Sequence, residues 1–344
     1  MKYKTKATDR GASRRIDMKE IARRAGVGVM TVSRALGRPE MVSAETRERI
    51  MKIVESSGFI RDQLASAMRT ERRIIGTIVP PLINSGIADQ VQGMSDAAHE
   101  AGYQLLLMQG DFDSDAEENA IRSLLGWQPA GLILQAFVQS DKAREIIVRS
   151  NTPVVEISEV RGREPIDLAV GISNFDTAHA MTTHLIKKGY RKIGFVSTPA
   201  HGNDRLQQRR IGYRAALEDG GRKYSKDLEI EVPITHQDGA KAMSVLLERD
   251  RKLDAIFFSS DTLAIGAVQE CHRRGWQIPA RLAIAGYGDI DLASQLYPRL
   301  TTVHVRRHEM GRRAVGQLLR RLRREPDVAR IVTMSFSIID GESA

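Results

Sequence analysis

The hydrophobic pattern changes character once along the chain. Over residues 16–57, apolar positions recur at helical spacing in three short stretches. Asp17 is placed to cap a first helix, with Glu20 three positions on as capping-box partner. That helix is predicted over Met18–Ala25, ending at Gly26. A second is predicted over Val29–Leu36, stopped by Gly37 and Pro39. A third follows the N-cap residue Ser43, carries Ile50, Ile53 and Val54 on one face, and ends at Gly58. From Ile74 onward, short aliphatic runs alternate with amphipathic stretches. Strands are predicted at Ile74–Val79, Tyr103–Met108, Gly131–Leu134, Val154–Ile157, Leu168–Ile172, Lys192–Ser197, Ala255–Phe258 and Leu282–Ala285. Helices are predicted between them, among them Ala88–Ala101, Ala116–Leu125 and 204–219. Repeated strand–helix–strand units imply parallel sheets with helices on both faces. The strands are too many for one comfortable sheet. The expected fold class is a small all-α domain followed by an α/β domain of two doubly wound parallel-sheet subdomains. Such sheets bind ligands beyond the carboxyl ends of their strands, and a pair of them places that edge in a cleft.

These patterns divide the chain into a basic, flexible arm (1–15), an all-α domain (16–61), a polar connector (62–73) and the α/β domain (74–344). Charge sharpens the division. Of a net charge of +9, all lies in residues 1–73, with 18 Lys/Arg against 9 Asp/Glu; the remainder holds 34 of each sign. A basic segment beside a neutral body is the footprint of a polyanion-binding module, although a solvated basic tail has the same composition. With 344 residues and 42% hydrophobic content, the chain can bury a large core. No run of 18 apolar residues exists, which excludes an ordinary transmembrane helix, and no apolar h-region follows the start. The single cysteine, Cys271, fits a reducing compartment. A cytoplasmic location and no membrane partner are expected.

The run from Met18 to Arg34 carries the strongest chemical signal. Ala22 lets two helices cross closely, Gly26 accepts the positive φ of a tight turn, and Val32 packs the second helix on the first. Ile21 and Val27 extend that core. Any helix–Gly–helix hairpin could share the Ala and Gly, but the full run in a basic setting points to a helix-turn-helix. The exposed positions around Val29, Met30, Ser33 and Arg34 then project from the start of the second helix, where base edges are met. Arg34 suits a bidentate bond to guanine, Thr31 and Ser33 suit phosphate or base, and Met30 suits a thymine methyl.

The stretch Glu20-Ile-Ala-Arg-Arg-Ala-Gly-Val-Gly-Val-Met-Thr-Val-Ser-Arg34 resembles the opening of the lactose-repressor (LacI) family of bacterial regulators. So do Val42-Ser-Ala-Glu-Thr-Arg47, Ser260-Asp-Thr-Leu-Ala-Ile-Gly266, Gly286-Tyr-Gly-Asp289, Pro298-Arg-Leu-Thr-Thr-Val303 and Met310-Gly311. The resemblance covers about residues 16–340. It implies a periplasmic-binding-protein-like core, operator DNA as partner, a small effector, a homodimer, and no cofactor. The sequence departs from the family pattern in three places. Gly28 stands where a Ser usually caps the recognition helix. Phe59-Ile-Arg-Asp62 replaces the usual Tyr-x-Pro-Asn, so Asp62 is repelled by phosphate and Arg61 can offset it. Met68 aligns with the leucine that such repressors wedge into the minor groove; a plain linker at 62–73 is the other reading.

The resemblance also implies the cleft residues. Asp261 matches the ligand-contacting Asp, Arg209 the ligand-contacting Arg, and Arg205 another contact position on the same helical face. Two guanidinium groups facing one cleft suit a carboxylate or phosphate. Pro153-Val-Val-Glu-Ile-Ser158, Asp167-Leu-Ala-Val-Gly-Ile-Ser-Asn-Phe175 and Ala180-Met-Thr-Thr-His184 are most similar to repressors of gluconate utilisation. That makes gluconate or a related sugar acid the expected effector, with Asn174 and Glu156 as candidate hydroxyl partners. Glu156 can equally be a buried strand-end carboxylate with a structural partner.

An enzyme is the rival class, because doubly wound sheets host many. No G-x-G-x-x-G follows the first strand, and neither a Walker loop nor a G-x-S-x-G elbow is present, so no catalytic residue is assigned. His304 and His308 lack a surrounding carboxylate–His array and read as polar residues at a strand–helix junction, not a metal site. A sugar-binding protein without a DNA role is a third reading, opposed by the helix-turn-helix. Whether ligand releases or promotes DNA binding, and whether the protein represses or activates, both stay open at this level.

Overall fold

In a computed structural model the described residues are 16–57, 59, 73–80, 85–110, 114–135, 140–162, 164–199 and 203–344. The arm 1–15, Arg61, Asp62, Met68 and nearly all of the connector lie outside them. The chain divides into two compact units, Met1–Glu71 and Arg72–Ala344.

The first unit holds α1 (Met18–Ala25), α2 (Val29–Gly37) and α3 (Ala44–Ser57). Asp17 caps α1 by accepting the Glu20 N–H at 2.9 Å. Gly26 closes it at φ 65°, where a side chain would be strained, and its N–H returns to the Ala22 and Arg23 carbonyls. The turn aims α2 across α1, so Ile21, Ala22, Ala25, Val32, Ala35 and Ile50 share one small buried core.

The second unit carries two six-stranded sheets. One has the order β11 (Ile331–Thr333), β5 (Leu168–Ile172), β4 (Val154–Glu159), β3 (Gly131–Leu134), β1 (Ile74–Val79), β2 (Gln104–Gln109), all parallel. The other runs β12 (Phe336–Ile339), β10 (Thr301–Val305), β9 (Ala283–Gly288), β8 (Ala255–Phe258), β6 (Ile193–Ser197), β7 (Glu229–Glu231), with only β12 antiparallel. The two-sheet α/β fold expected from the alternation is therefore present. The short strands β7, β11 and β12, and β10 within the Leu-Thr-Thr-Val run, were not among the predicted strands. β11 and β12 are short, half-exposed pieces whose partners lie in different sheets, and no local pattern marks such a strand.

The chain passes between the sheets three times, after β5, after β10 and after β11, so the two subdomains are tied by three strands of chain. The central strands are buried on both faces, as parallel sheets covered by helices require. Flanking helices are α4 (Ser85–Glu100), α5 (Ser114–Gly126), α6 (Asp141–Ser150), α7 (Asn174–Lys187), α8 (Asp204–Asp219), α9 (His236–Arg249), α10 (Asp261–Arg273), the short α11 (Asp291–Gln295) and α12 (Arg307–Leu322). Among the described residues, no helix is long and apolar enough to cross a membrane.

Helix pairs cross where glycine removes the side chain. A Cβ at Gly93 on α4 would fall on the His308 carbonyl of α12, and one at Gly311 on α12 would fall on the Gln90 carbonyl of α4. The same α4–α12 seam is bonded by His308 to Asp96 at 2.9 Å and by Arg312 to Glu100 at 2.7 and 2.9 Å. Because the obstructing atoms are backbone, Gly311→Ala must push the helices apart, and a loss of about 1–3 kcal/mol is expected. Gly316, on the same helix with open space around it, is the control. Gly316→Ala should hold or raise stability by up to about 1 kcal/mol through helix propensity. Thermal melts of the two variants check the contrast.

Candidate DNA-reading helix and effector cleft

On α2, Val29 and Met30 are exposed at 39% and 52%, Thr31 and Ser33 are half-buried, and Arg34 is exposed. Gly28 leaves the helix start without a side-chain cap, as its sequence implied. Arg23 and Arg24 on α1 are both drawn to Glu20, at 2.7 and 2.8 Å, and these bonds hold the Glu20 carboxyl down at about 2. Arg34 has no ion pair among the described residues. The helix thus offers a cation and two apolar side chains at its exposed start, the chemistry that reads a major groove.

In the second unit, the strand ends of the two sheets bring four predicted residues together. Asn174, capped in place at the start of α7 by Ser173, is 1% exposed. Its Oδ1 accepts from Arg209 Nε at 2.8 Å and from the Tyr287 hydroxyl at 3.0 Å, while its Nδ2 donates to Glu159 Oε2 at 2.8 Å. Arg209 also donates to the Ser259 carbonyl at 2.9 Å and lies 3.5 Å from the Tyr287 ring centroid. Arg209 is 8% exposed, yet no carboxylate stands within 4.0 Å of it among the described residues. Burial lowers its pKa to about 10, with Arg307 and Arg205 adding repulsion. Arg205, one turn earlier on α8, donates to Asn203 Oδ1 at 3.3 Å, and burial lowers its pKa too.

Asp261 opens α10 after the cap Ser260 and is wholly buried. Thr302 Oγ1 donates to its Oδ1 at 2.6 Å and the Ile290 N–H to its Oδ2 at 3.0 Å. Burial dominates those bonds and raises the carboxyl to about 6. A Cβ at Gly286 would collide with Asp261 Oδ1, which explains the glycine of the Gly286-Tyr-Gly-Asp289 run. A cavity of about 560 Å³ lies alongside, between Gly86, Asp89 and Arg307–Glu309 of one subdomain and Gly288–Asp291, His304 and Val305 of the other.

Glu156 stands apart. It accepts the Ile166 N–H at 2.7 Å and faces Arg144 at 3.9 Å, the structural role that its sequence left open. Glu159, three residues on, is therefore on the opposite face of β4 and is the carboxylate that meets Asn174. Glu159, Tyr287, Thr302 and Arg307 were not singled out from sequence. Tyr287 and Thr302 lie inside recognised runs, whereas Glu159 and Arg307 carry no local signal. His304 meets Asp289 at 2.6 Å and His308 meets Asp96; no group of three or more metal-ligating side chains occurs among the described residues.

The description "Bacterial regulatory proteins, lacI family" matches residues 17–62, and "Periplasmic binding protein-like domain" matches residues 182–344. The HTH-type transcriptional regulator GntR of Escherichia coli (strain K12) is 31% identical over 329 residues, covering 95% of this chain and 98% of that protein. The chain belongs to the LacI family. A LacI-family regulator from Silicibacter pomeroyi superposes with a TM-score of 0.88 at 27% identity, covering 95% of this chain and 99% of that one. The transcription regulator GntR from Chromobacterium violaceum gives 0.75 at 30% identity over 79% and 99% of the two chains. This LacI-family chain is accordingly a DNA-binding transcriptional regulator, and its relatives are regulators rather than enzymes.

Asp261 gives a pH signature. Its folded pKa of about 6 lies above the ordinary 3.8, so between these values the folded chain binds a proton that the unfolded chain does not. Its contribution is therefore present below pH 4 and is lost as pH rises through 6, amounting to about 3 kcal/mol in all. Wild type should lose stability relative to Asp261→Asn between pH 4.5 and 7.5; a constant gap in melting temperature would refute the assignment.

Proposed function

We propose that the protein is a cytoplasmic, homodimeric repressor whose grip on operator DNA is controlled by a sugar acid, gluconate or a close relative. The observation that carries the effector class is Arg209. A buried guanidinium with no carboxylate in reach among the described residues is expensive unless an anion neutralises it, and a sugar-acid carboxylate supplies one. Asn174 and Tyr287 hold Arg209 in a fixed orientation, so the anion meets a preorganised donor. Arg205 lies beside it, and Asp261 keeps acceptor capacity on both oxygens for polyol hydroxyls. Glu156 is left to Arg144 and the Ile166 backbone. The similarity to gluconate-utilisation repressors and to regulators named GntR supports the same class.

Two copies of α2 then occupy successive major grooves of a pseudo-palindromic operator. Val29, Met30, Thr31, Ser33 and Arg34 meet the bases and nearby phosphates, and Met68 acts as the minor-groove wedge. Ligand bound between the subdomains changes their relation, which disfavours the DNA-bound arrangement of the connector. The coupling is reciprocal, so operator must weaken ligand binding by the same factor.

Fluorescence anisotropy on the protein's own upstream DNA, against scrambled DNA at fixed salt, tests this reading. Specific binding that gluconate weakens is expected; specific binding indifferent to every sugar acid tried would overturn the effector class. Arg34→Ala should cost about 1–3 kcal/mol on operator and far less on scrambled DNA. Unchanged discrimination would remove Arg34 from the reading set.

A further inference from the structure

Helix α1 turns Ile21, Ala22 and Ala25 into the small core of the first unit and keeps Lys19, Glu20, Arg23 and Arg24 outside it. Glu20 is the one acid among these four, and it holds both arginines. Its Oε1 accepts from Arg23 Nη2 at 2.7 Å and from Arg24 Nε at 2.8 Å, and its Oε2 accepts from Arg23 Nε at 2.8 Å. Arg23 thus meets both carboxylate oxygens, the paired geometry in which guanidinium and carboxylate bind best. A Glu at this place after an N-cap can also bond back to the N-cap N–H and close a capping box. Here Asp17 caps α1 through the Glu20 N–H, while the Glu20 carboxylate faces the arginines instead.

Exposed ion pairs add little to stability, so the consequence of this one lies in what it keeps the arginines from doing. The side chains of Arg23 and Arg24 are 73% and 45% exposed, and both stand at the end of α1, just before the Gly26 turn into the reading helix α2. In a docked helix-turn-helix the first helix crosses the phosphate backbone. Each further phosphate that a cation neutralises raises affinity for any DNA sequence and steepens its salt dependence. A carboxylate bonded to both guanidinium groups competes with phosphate for the same N–H donors, and it carries a repelled charge to the same surface.

We propose that Glu20 is a positioning residue that withholds Arg23 and Arg24 from DNA phosphate. It keeps sequence-independent binding weak and leaves the base contacts of α2 to decide where the regulator stays. This goes beyond the effector reading and does not depend on it.

Fluorescence anisotropy of the full chain on scrambled duplex DNA, over a series of salt concentrations, tests it. Glu20→Gln should bind scrambled DNA about tenfold more tightly near physiological salt, with the slope of log affinity against log salt steeper by about one to two. Affinity for operator should rise by less, because phosphate contacts carry no sequence information, and its retention shows that the unit is folded. Adding Arg23→Ala and Arg24→Ala to Glu20→Gln should cancel the gain on scrambled DNA. Glu48→Gln on α3 removes the same charge from another exposed pair, Glu48 with Lys52 at 2.9 Å, and should change scrambled-DNA affinity by no more than about twofold. A wild-type slope in Glu20→Gln, a gain that survives loss of both arginines, or an equal gain from Glu48→Gln would overturn the proposal. Equal gains on operator and scrambled DNA would overturn its bearing on specificity. Arg24→Ala alone tests it without touching Glu20: the slope should stay at the wild-type value, and a slope shallower by about one would place Arg24 on phosphate already and overturn the proposal.

Discussion

The second unit turns on the side chain of Asn174. One buried amide holds Glu159 from the first sheet through its nitrogen, and Arg209 and Tyr287 from the second subdomain through its oxygen. Nearly all the amide's bonding capacity is used, so its orientation is fixed. This matters because Arg209 is a buried cation without a carboxylate partner among the described residues. Left mobile, it would turn toward an acid or toward water. Asn174, the Ser259 carbonyl and the Tyr287 ring hold it in one orientation, which preorganises it for the anion proposed above.

The same junction joins ligand to subdomain geometry. Glu159 belongs to β4, Tyr287 to β9, and Asn174 stands at the first passage of chain between the sheets. Any anion that draws on Arg209 acts on a bond network shared by both sheets. The proposed effector control has a physical carrier there, because these contacts would differ in strength between two arrangements of the subdomains. The glycine-mediated crossings, such as Gly93 with Gly311, provide the stiff background, since helices in backbone contact transmit a shift instead of absorbing it. The helix-turn-helix unit has its own small core, set by caps and by Gly26.

What the sequence determined by itself were the features fixed within a few residues. The capping pair Asp17–Glu20, the left-handed Gly26, the spans Met18–Ala25, Gly131–Leu134, Leu168–Ile172, Ala255–Phe258 and 204–219, and the exposed positions of α2 are local consequences of propensity and periodicity. Two-sheet α/β architecture followed from the count of strands, and the family from motifs in order. Arg209, Arg205, Asp261 and Asn174 were reached through that resemblance. Tertiary structure decided the rest, because the deciding contacts join distant residues. Asn174 and Tyr287 are separated by 113 positions, and Thr302 reaches Asp261 across 41. Strand alternation placed Glu159, not Glu156, at the cleft, a choice that depends on which face of β4 the helices cover. Arg307 sits beside Arg306, which pairs with Glu309, and only the packing of Gly86 around it leaves the Arg307 Nε buried. No window of sequence contains that information, since it lies in charges brought together by folding.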